Sequence, residues 1–135
     1  MLTKKVKIFD RLKSENDIET VYKRGKVIIS EDRKIKASYL SVDNLTSRVR
    51  VATTVSSKTG NSVWRNRLKR IIRESLTQEK VFLREIVSKN KSELSIIFSP
   101  YKINQISPQQ LFLKDIKPAV TDILININKA TKHSG

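Results

Sequence analysis

The chain has 135 residues and a formal charge of +15, because 28 lysines and arginines outnumber 13 aspartates and glutamates. This length predicts one domain over residues 1–135, with an ordered core from about 9 to 128, and the charge indicates a polyanionic partner. The lack of cysteine excludes disulfides and thiolate metal sites, and without a leader or a membrane-length apolar run we expect a soluble, cytoplasmic protein.

The first predicted element is a helix over about residues 14–24. Ser14 and Asp17 have the form of a capping box, although aspartate is shorter than the usual glutamate. Gly25 follows the last basic residues and predicts the end of the helix. An apolar stripe with helical spacing is formed by Ile18, Val21 and Tyr22.

Three strand-like runs follow, at residues 26–30, 33–42 and 48–55. In the second and third runs, side chains alternate in the manner of strands that have one buried face. Short polar turns separate the runs, so the sequence predicts an antiparallel meander. A fourth run, Leu94 to Phe98, is mostly apolar and suits the centre of a sheet.

Two longer helices complete the pattern. One is predicted from about Ser62 to Ser88, and the other begins at Ser107-Pro108. Pro118 is expected to kink or restart the second helix, with Asp115 as a candidate second cap. The order α-β-β-β-α-β-α predicts an α+β fold, a single-domain α/β sandwich with helices packed on a four-stranded sheet.

The helix that begins near Ser62 carries the most distinctive pattern of the chain. At about 100° per residue, its apolar residues, including Trp64, face one way and its basic residues the other. Lys69 and Arg73 lie four residues apart and repel each other unless an anion lies between them, which favours a nucleic-acid backbone over a solvated face. Between residues 58 and 73 no side chain is acidic, and the basic ones are Lys58, Arg65, Arg67, Lys69, Arg70 and Arg73.

Residues 50–74, RVATTVSSKTGNSVWRNRLKRIIRE, resemble the signature of the bacterial ribonuclease P protein component family. In that signature a strand ending in Val-Ser-Lys-Lys-x-Gly leads into Arg-Asn-Arg-x-Lys-Arg-x-x-Arg-Glu. Upstream, residues 17–25, DIETVYKRG, are similar to the family's Asp-Phe-x-x-Val-Phe-Lys-x-Gly. The chain departs from the family at Ala52, where glycine is usual, at Ser57, where lysine is usual, and at the two aromatic positions occupied by Ile18 and Tyr22.

The resemblance implies a role in tRNA maturation. The family's protein binds a large catalytic RNA and the 5′ leader of precursor tRNA, and the complex removes the leader by endonucleolytic cleavage. The RNA performs the hydrolysis with bound magnesium ions, so no catalytic side chain and no protein metal site are expected. By position, contacts with the RNA subunit are expected from Lys58, Arg67, Lys69, Arg70 and Arg73, and contacts with the leader from Ile18, Tyr22, Arg65 and Asn66.

The residues themselves leave other classes of protein to be weighed. A structural RNA-binding protein, such as a small ribosomal protein, shares the charge, the size and the lack of cysteine, and it stays open as an alternative. A membrane-active or partner-binding amphipathic protein is disfavoured, because the apolar faces of the predicted helices are needed to form the core. A protein-only nuclease is disfavoured because the acidic residues are scattered and the single histidine, His133, lies near the C-terminus. We expect neither a membrane nor a small-molecule substrate as partner.

Overall fold

The computed structural model describes residues 10–43, 47–104 and 111–131. The helices are α1 (Glu15–Arg24), α2 (Ser62–Gln78), α3 (Lys80–Asn90) and α4 (Leu113–Thr131). The strands are β1 (Asp10–Arg11), β2 (Lys26–Ile29), β3 (Ile35–Asp43), β4 (Arg48–Thr53) and β5 (Ser92–Pro100). They form one sheet in the order β1-β4-β5-β3-β2, so the fold belongs to the α+β class as predicted.

The sheet has five strands in the described ranges, and the prediction of four strands is wrong. The additional strand, β1, consists of Asp10 and Arg11, which pair in parallel with Arg50 and Val51 of β4. Two residues are too few for an alternating pattern, so the sequence contains no signal for this strand. The predicted element order therefore lacks β1.

The antiparallel meander predicted for β2, β3 and β4 is also wrong in part. β2 and β3 are antiparallel neighbours, but β5 lies between β3 and β4, antiparallel to the former and parallel to the latter. β5 occupies the centre because it buries apolar side chains on both faces of the sheet, Leu94, Ile96 and Phe98 on one and Ile97 on the other. The predicted central position of this strand is thus confirmed, although its neighbours are not those that chain order suggests.

The helix predicted from Ser62 to Ser88 is two helices, α2 and α3, that meet at Glu79. The N–H of Glu79 donates to the carbonyl oxygens of Ser75 and Leu76 at 3.2 and 3.1 Å, which tightens the last turn of α2. The buried residues of α3 keep the angular phase of the apolar face of α2. Periodicity along the sequence therefore does not reveal the break.

The C-terminal helix is a single element in the described part of the chain. α4 continues through Pro118, so the helix does not restart there, and Asp115 lies in its first turn rather than at a second cap. A proline near the start of a helix removes only one hydrogen bond of the first turns, which long helices tolerate when they pack well. The predicted start at Ser107-Pro108 lies outside the described residues, as do the terminal segments.

The two faces of the sheet are covered differently. α2, α3 and α4 cover one face and build the main core, which includes Trp64, Leu68, Phe98 and Val120. α1 covers part of the other face, where Val21 packs in a small cluster with Leu12 and Ile97. The uncovered part of this second face is polar, because it presents Lys36 of β3, Ser99 of β5 and Thr54, which directly follows β4. Among the described helices, none combines the length and the apolar content needed to cross a bilayer.

The ends of α1 are determined locally, as predicted. Ser14 Oγ accepts a hydrogen bond from the N–H of Asp17 at 3.4 Å, and the N–H of Gly25 donates to the carbonyl oxygen of Val21 at 2.8 Å. Gly25 has φ −81°, which any residue adopts. A Cβ at this position, however, would collide with the carbonyl oxygens of Val21 and Tyr39. Glycine is needed here because the backbone of β3 passes close to the end of α1.

We expect Gly25→Ala to lower the free energy of unfolding by roughly 1–3 kcal/mol, because the added methyl group pushes α1 away from β3. Chemical denaturation monitored by circular dichroism measures the change. Gly60→Ala is the matched control, since Gly60 has an extended backbone with φ 170°. If the two variants are equally stable, the close approach at Gly25 does not constrain the fold.

Candidate nucleic-acid interface

The start of α2 is positively charged for two reasons that the sequence encodes. Asn61 caps the helix, and its Oδ1 accepts a hydrogen bond from the N–H of Trp64 at 2.9 Å. The first turn contains no acidic residue to offset the positive end of the helix dipole. The basic side chains that follow add to the same potential, so this end of α2 attracts anions.

The predicted separation of the faces of α2 is confirmed. Its buried residues include Trp64, Leu68, Ile71, Ile72 and Leu76, and the predicted packing role of Trp64 is therefore correct. Lys69 is half-buried beside this apolar face and shares the lining of one cavity with Leu76. The exposed residues include Asn66, Arg67, Arg70 and Arg73.

A cavity of about 660 Å³ lies along β4 beyond the end of the short strand β1, and we call it the β4-edge cavity. Lys69 and Arg73 line it from α2, and Ile18 lines it from α1. Arg11 and Lys13 line it from the segment before α1. The structure thus brings together two residues predicted to contact the RNA subunit and one predicted to contact the leader.

The lining of the β4-edge cavity is strongly basic. It also includes Arg48 and Asp10, so five basic side chains face one carboxylate. Arg48 Nε donates to Asp10 Oδ2 at 2.6 Å, and this hydrogen bond and the aspartate charge raise the pKa of Arg48. The excess of cations makes this cavity suited to phosphate groups.

A second cavity, of about 420 Å³, lies between α1 and the uncovered part of the sheet, and we call it the Tyr22 cavity. The side chain of Tyr22 is 52% exposed, and its hydroxyl lies 3.4 Å from Thr54 Oγ1. Thr54 also lines the β4-edge cavity, so the two cavities adjoin at this residue. The remaining lining is largely polar and consists of Lys36, Val55, Ser56, Thr59, Ser99 and Pro100. An exposed ring among hydroxyl groups and a lysine suits a single-stranded nucleic acid.

The other predicted site residues lie outside these two cavities. Arg65 is half-buried, and its Nε donates to the carbonyl oxygen of Gly60 at 3.1 Å, so it closes the turn before α2. Lys58 is exposed in a single 3₁₀ turn, and Asn66 and Arg70 are exposed on α2. The structure therefore does not bring Arg65 and Asn66 together with Ile18 and Tyr22 as lining of one pocket, and their predicted contacts with the leader stay predictions.

Arg67 is turned toward the start of α4. Its Nε donates to the carbonyl oxygen of Leu111 at 2.9 Å, and its guanidinium carbon lies 5.9 Å from the centre of the Phe112 ring. Arg67 and Lys69 are two positions apart on α2 and so project in nearly opposite directions. The predicted RNA-binding residues are thus spread around the helix.

Sequence reasoning missed the basic residues that β1 and its neighbours contribute, Arg11, Lys13 and Arg48. The place of Arg11 and Lys13 beside β4 and α2 depends on the parallel pairing of β1 with β4, for which two residues carry no signal.

Sequence reasoning also missed the role of Arg50, which has a 20% exposed side chain and lies between three partners. Its Nη1 donates to Asp17 Oδ2 at 2.9 Å and its Nη2 to Ser95 Oγ at 3.2 Å, and its Nε lies 2.9 Å from Glu93 Oε1. Arg50 therefore ties α1 to β4 and β5.

We expect Arg50→Leu to destabilise the protein by roughly 1–3 kcal/mol, because the variant removes the cation that Asp17 and Ser95 contact. Amide hydrogen exchange, measured in the variant and in the wild type, locates the effect. We expect the substitution to raise the exchange rate more in α1 than in α4. Arg48→Leu is the control: the ion pair of Arg48 with Asp10 is more exposed, so its loss should cost less. An equal rise in the exchange rates of α1 and α4 in Arg50→Leu would contradict the role assigned to Arg50.

Comparison with known proteins agrees with the resemblance seen in the sequence. A model of the family described as Ribonuclease P matches residues 6–122. The ribonuclease P protein component of Staphylococcus haemolyticus is 35% identical over 79 residues, which are 57% of this chain and 66% of that protein. The corresponding protein of Macrococcus caseolyticus is 39% identical over 70 residues, which are 52% and 58% of the two chains. The chain therefore matches less than two thirds of the length of either relative.

Solved structures show the same fold. The RNase P protein from Thermotoga maritima superposes with a TM-score of 0.66 over 87% of this chain and 96% of that chain, at 21% identity. The RNase P protein of Staphylococcus aureus gives a TM-score of 0.61 over 88% and 94% of the two chains, at 22% identity. At such identities the likeness concerns the fold alone. Because the family model covers most of the chain, this protein belongs to the Ribonuclease P protein family.

Proposed function

We propose that this protein is the protein subunit of a cytoplasmic ribonuclease P, the ribonucleoprotein endoribonuclease that removes the 5′ leader from precursor tRNA. The observation that carries the proposal is the junction of two cavities at Thr54. One is lined by five basic side chains and suits phosphates, and the other presents the exposed ring of Tyr22. A protein that holds a structured RNA beside a single strand needs these two kinds of site next to each other.

In this proposal the RNA subunit contacts the basic face of α2 and the β4-edge cavity. Lys69 and Arg73 approach its phosphates together, which relieves the repulsion between two like charges four residues apart. Neutralised phosphates repel the precursor less, so the protein lowers the magnesium concentration at which the complex assembles. Exposed Arg70 extends the same surface beyond the cavity.

The precursor tRNA leader is proposed to enter the Tyr22 cavity. The Tyr22 ring stacks on a base, while Lys36 supplies a charge for a phosphate. Ser56, Thr59 and Ser99 offer hydroxyl groups that hydrogen-bond without selecting a sequence. Ile18 contributes apolar contact from the adjoining cavity, where the family usually has an aromatic residue.

The hydrolysis is proposed to belong to the RNA subunit. Within the described ranges, no group of three or more histidine, aspartate or glutamate side chains is placed to hold a metal ion. The carboxylates at the interface are instead paired with arginines, as Asp10 is with Arg48 and Asp17 with Arg50. We therefore propose that magnesium ions are held mainly by the RNA, and that the protein side chains bind and orient.

Reconstitution tests the proposal. The purified protein is mixed with the ribonuclease P RNA of its own genome and a 5′-extended precursor tRNA, at low magnesium, with each component omitted in turn. We expect cleavage that requires the RNA and that the protein stimulates. Tight binding of the RNA without stimulation would overturn the proposal in favour of a structural RNA-binding protein.

A further inference from the structure

A third cavity, of about 540 Å³, lies at the start of α4, and we call it the Phe112 cavity. Trp64 and Ile116 of the main core form part of its wall. α1 and Tyr22 lie on the other face of the sheet, and no described residue lines both cavities.

An exposed aromatic ring between cations marks the Phe112 cavity. Phe112 is 43% exposed, although it directly precedes the amphipathic helix α4, which buries Ile116 and Val120 in the main core. The Arg67 guanidinium lies 5.9 Å and the Lys114 ammonium 5.5 Å from the centre of its ring. Two cations at one exposed ring repel each other, and an anion that bridges them would relieve this repulsion.

The charge of the lining indicates a polyanion. Lys34, Lys102 and Lys114 line the cavity, and Asp115 is the one acidic residue among the described lining residues. Lys34 Nζ donates to the carbonyl oxygen of Asp115 at 3.2 Å and so is held at the rim. Lysines around an exposed ring match a nucleic-acid strand, whose base stacks while its phosphates meet the ammonium groups. A duplex fits less well, because its bases are already stacked on one another.

We propose that the Phe112 cavity binds unpaired nucleotides of the RNA subunit, with a base stacked on Phe112 and the flanking phosphates near Lys102, Lys114 and Arg67. The identity of the RNA rests on the proposed function. Arg67 connects the two surfaces, because it projects from the basic helix α2 and contacts both Leu111 and Phe112. One RNA molecule can therefore follow α2 from the β4-edge cavity to the Phe112 cavity.

The single tryptophan makes the cavity directly observable. Trp64 is 7% exposed and lines the cavity, so a nucleotide bound there changes its fluorescence. A short fluorescein-labelled oligouridylate is titrated into the full-length protein, with anisotropy reporting total binding and Trp64 emission reporting this site. We expect both signals to change, and binding accompanied by no change in Trp64 emission would overturn the inference.

Variants separate the Phe112 cavity from the Tyr22 cavity. Phe112→Ala is expected to weaken the binding seen by Trp64 emission roughly five- to hundredfold, whereas Phe112→Tyr keeps a stacking ring and should retain most of it. Ile125 is an exposed apolar residue on α4, and both Ile125→Ala and Tyr22→Ala should leave the Trp64 signal unchanged. If Phe112→Ala lowers the melting temperature, the double variant Lys102→Gln, Lys114→Gln tests the same site through its charges. If Phe112→Ala binds as tightly as the wild type, the inference is overturned. If that variant melts early, the same result from the double variant overturns it.

A final experiment uses the ribonuclease P RNA itself, and it distinguishes failure of this inference from failure of the proposed function. Phe112→Ala is expected to bind the ribonuclease P RNA more weakly while its complex keeps the wild-type preference for precursor over mature tRNA. If the wild-type protein neither binds that RNA nor stimulates cleavage, the proposed function fails. If the wild-type protein does both and Phe112→Ala binds the RNA equally well, or loses only the preference for precursor, this inference alone fails.

Discussion

Replacing Lys69 and Arg73 together by alanine is expected to weaken binding of the ribonuclease P RNA by roughly 50- to 100-fold and to lower the salt slope by about two. Both side chains line the β4-edge cavity, and each phosphate contact that is lost releases about one counterion fewer. Filter binding across a range of salt concentrations measures both quantities. The free protein should be as stable as the wild type or slightly more so, since the variant removes a repulsive pair at positions i and i+4.

The matched control is the double variant Lys80→Ala, Arg84→Ala. These two exposed residues also lie four apart, on α3, and their removal lowers the net charge by the same amount. We expect a loss of affinity of only a few-fold from the weaker overall field. An equal loss in both double variants would mean that the RNA responds to net charge and not to the arrangement of side chains around the cavity.

The parts of the fold that local sequence determines could be predicted. The first helix was recognisable because its cap, its apolar stripe and Gly25 lie within twelve residues of one another, and the cap is observed at Ser14. The central position of the run at 94–98 followed from its apolar composition alone. The two faces of α2 followed from its period, and the burial of Trp64 confirms this interpretation.

The errors concern features that depend on distant residues. Whether β4 pairs with β3 or with β5 is decided by the burial of Ile97 and its neighbours between two layers of helices, which no polar turn encodes. The break at Glu79 leaves the phase of the apolar face unchanged, so a periodic pattern cannot reveal it. Conversely, part of the reason that glycine is needed at position 25 lies in β3, at the carbonyl oxygen of Tyr39.

The candidate site likewise has a part that could be predicted from the sequence and a part that could not. The chemistry of the site could be predicted, because the basic face of α2 and Tyr22 each lie in a contiguous motif. Its geometry could not, since Arg11 reaches the β4-edge cavity only through the pairing of β1 with β4, and Arg67 meets Phe112 across 45 positions of sequence. A motif therefore indicates which residues are candidates to bind RNA, while the tertiary fold distributes them among separate cavities.

Tyr22→Ala is expected to reduce the preference of the reconstituted complex for precursor over mature tRNA by roughly five- to hundredfold, because one stacked base contributes about 1–3 kcal/mol. Binding of the ribonuclease P RNA should be unchanged, since Tyr22 lines neither the β4-edge cavity nor the Phe112 cavity. Tyr22→Phe is the control: it removes the hydroxyl that lies 3.4 Å from Thr54 Oγ1 but keeps the ring. If stacking holds the leader, Tyr22→Phe keeps most of the preference. If the two variants lose the preference for precursor equally, the effect comes from the hydroxyl of Tyr22 and its contact with Thr54, which lies between the two cavities.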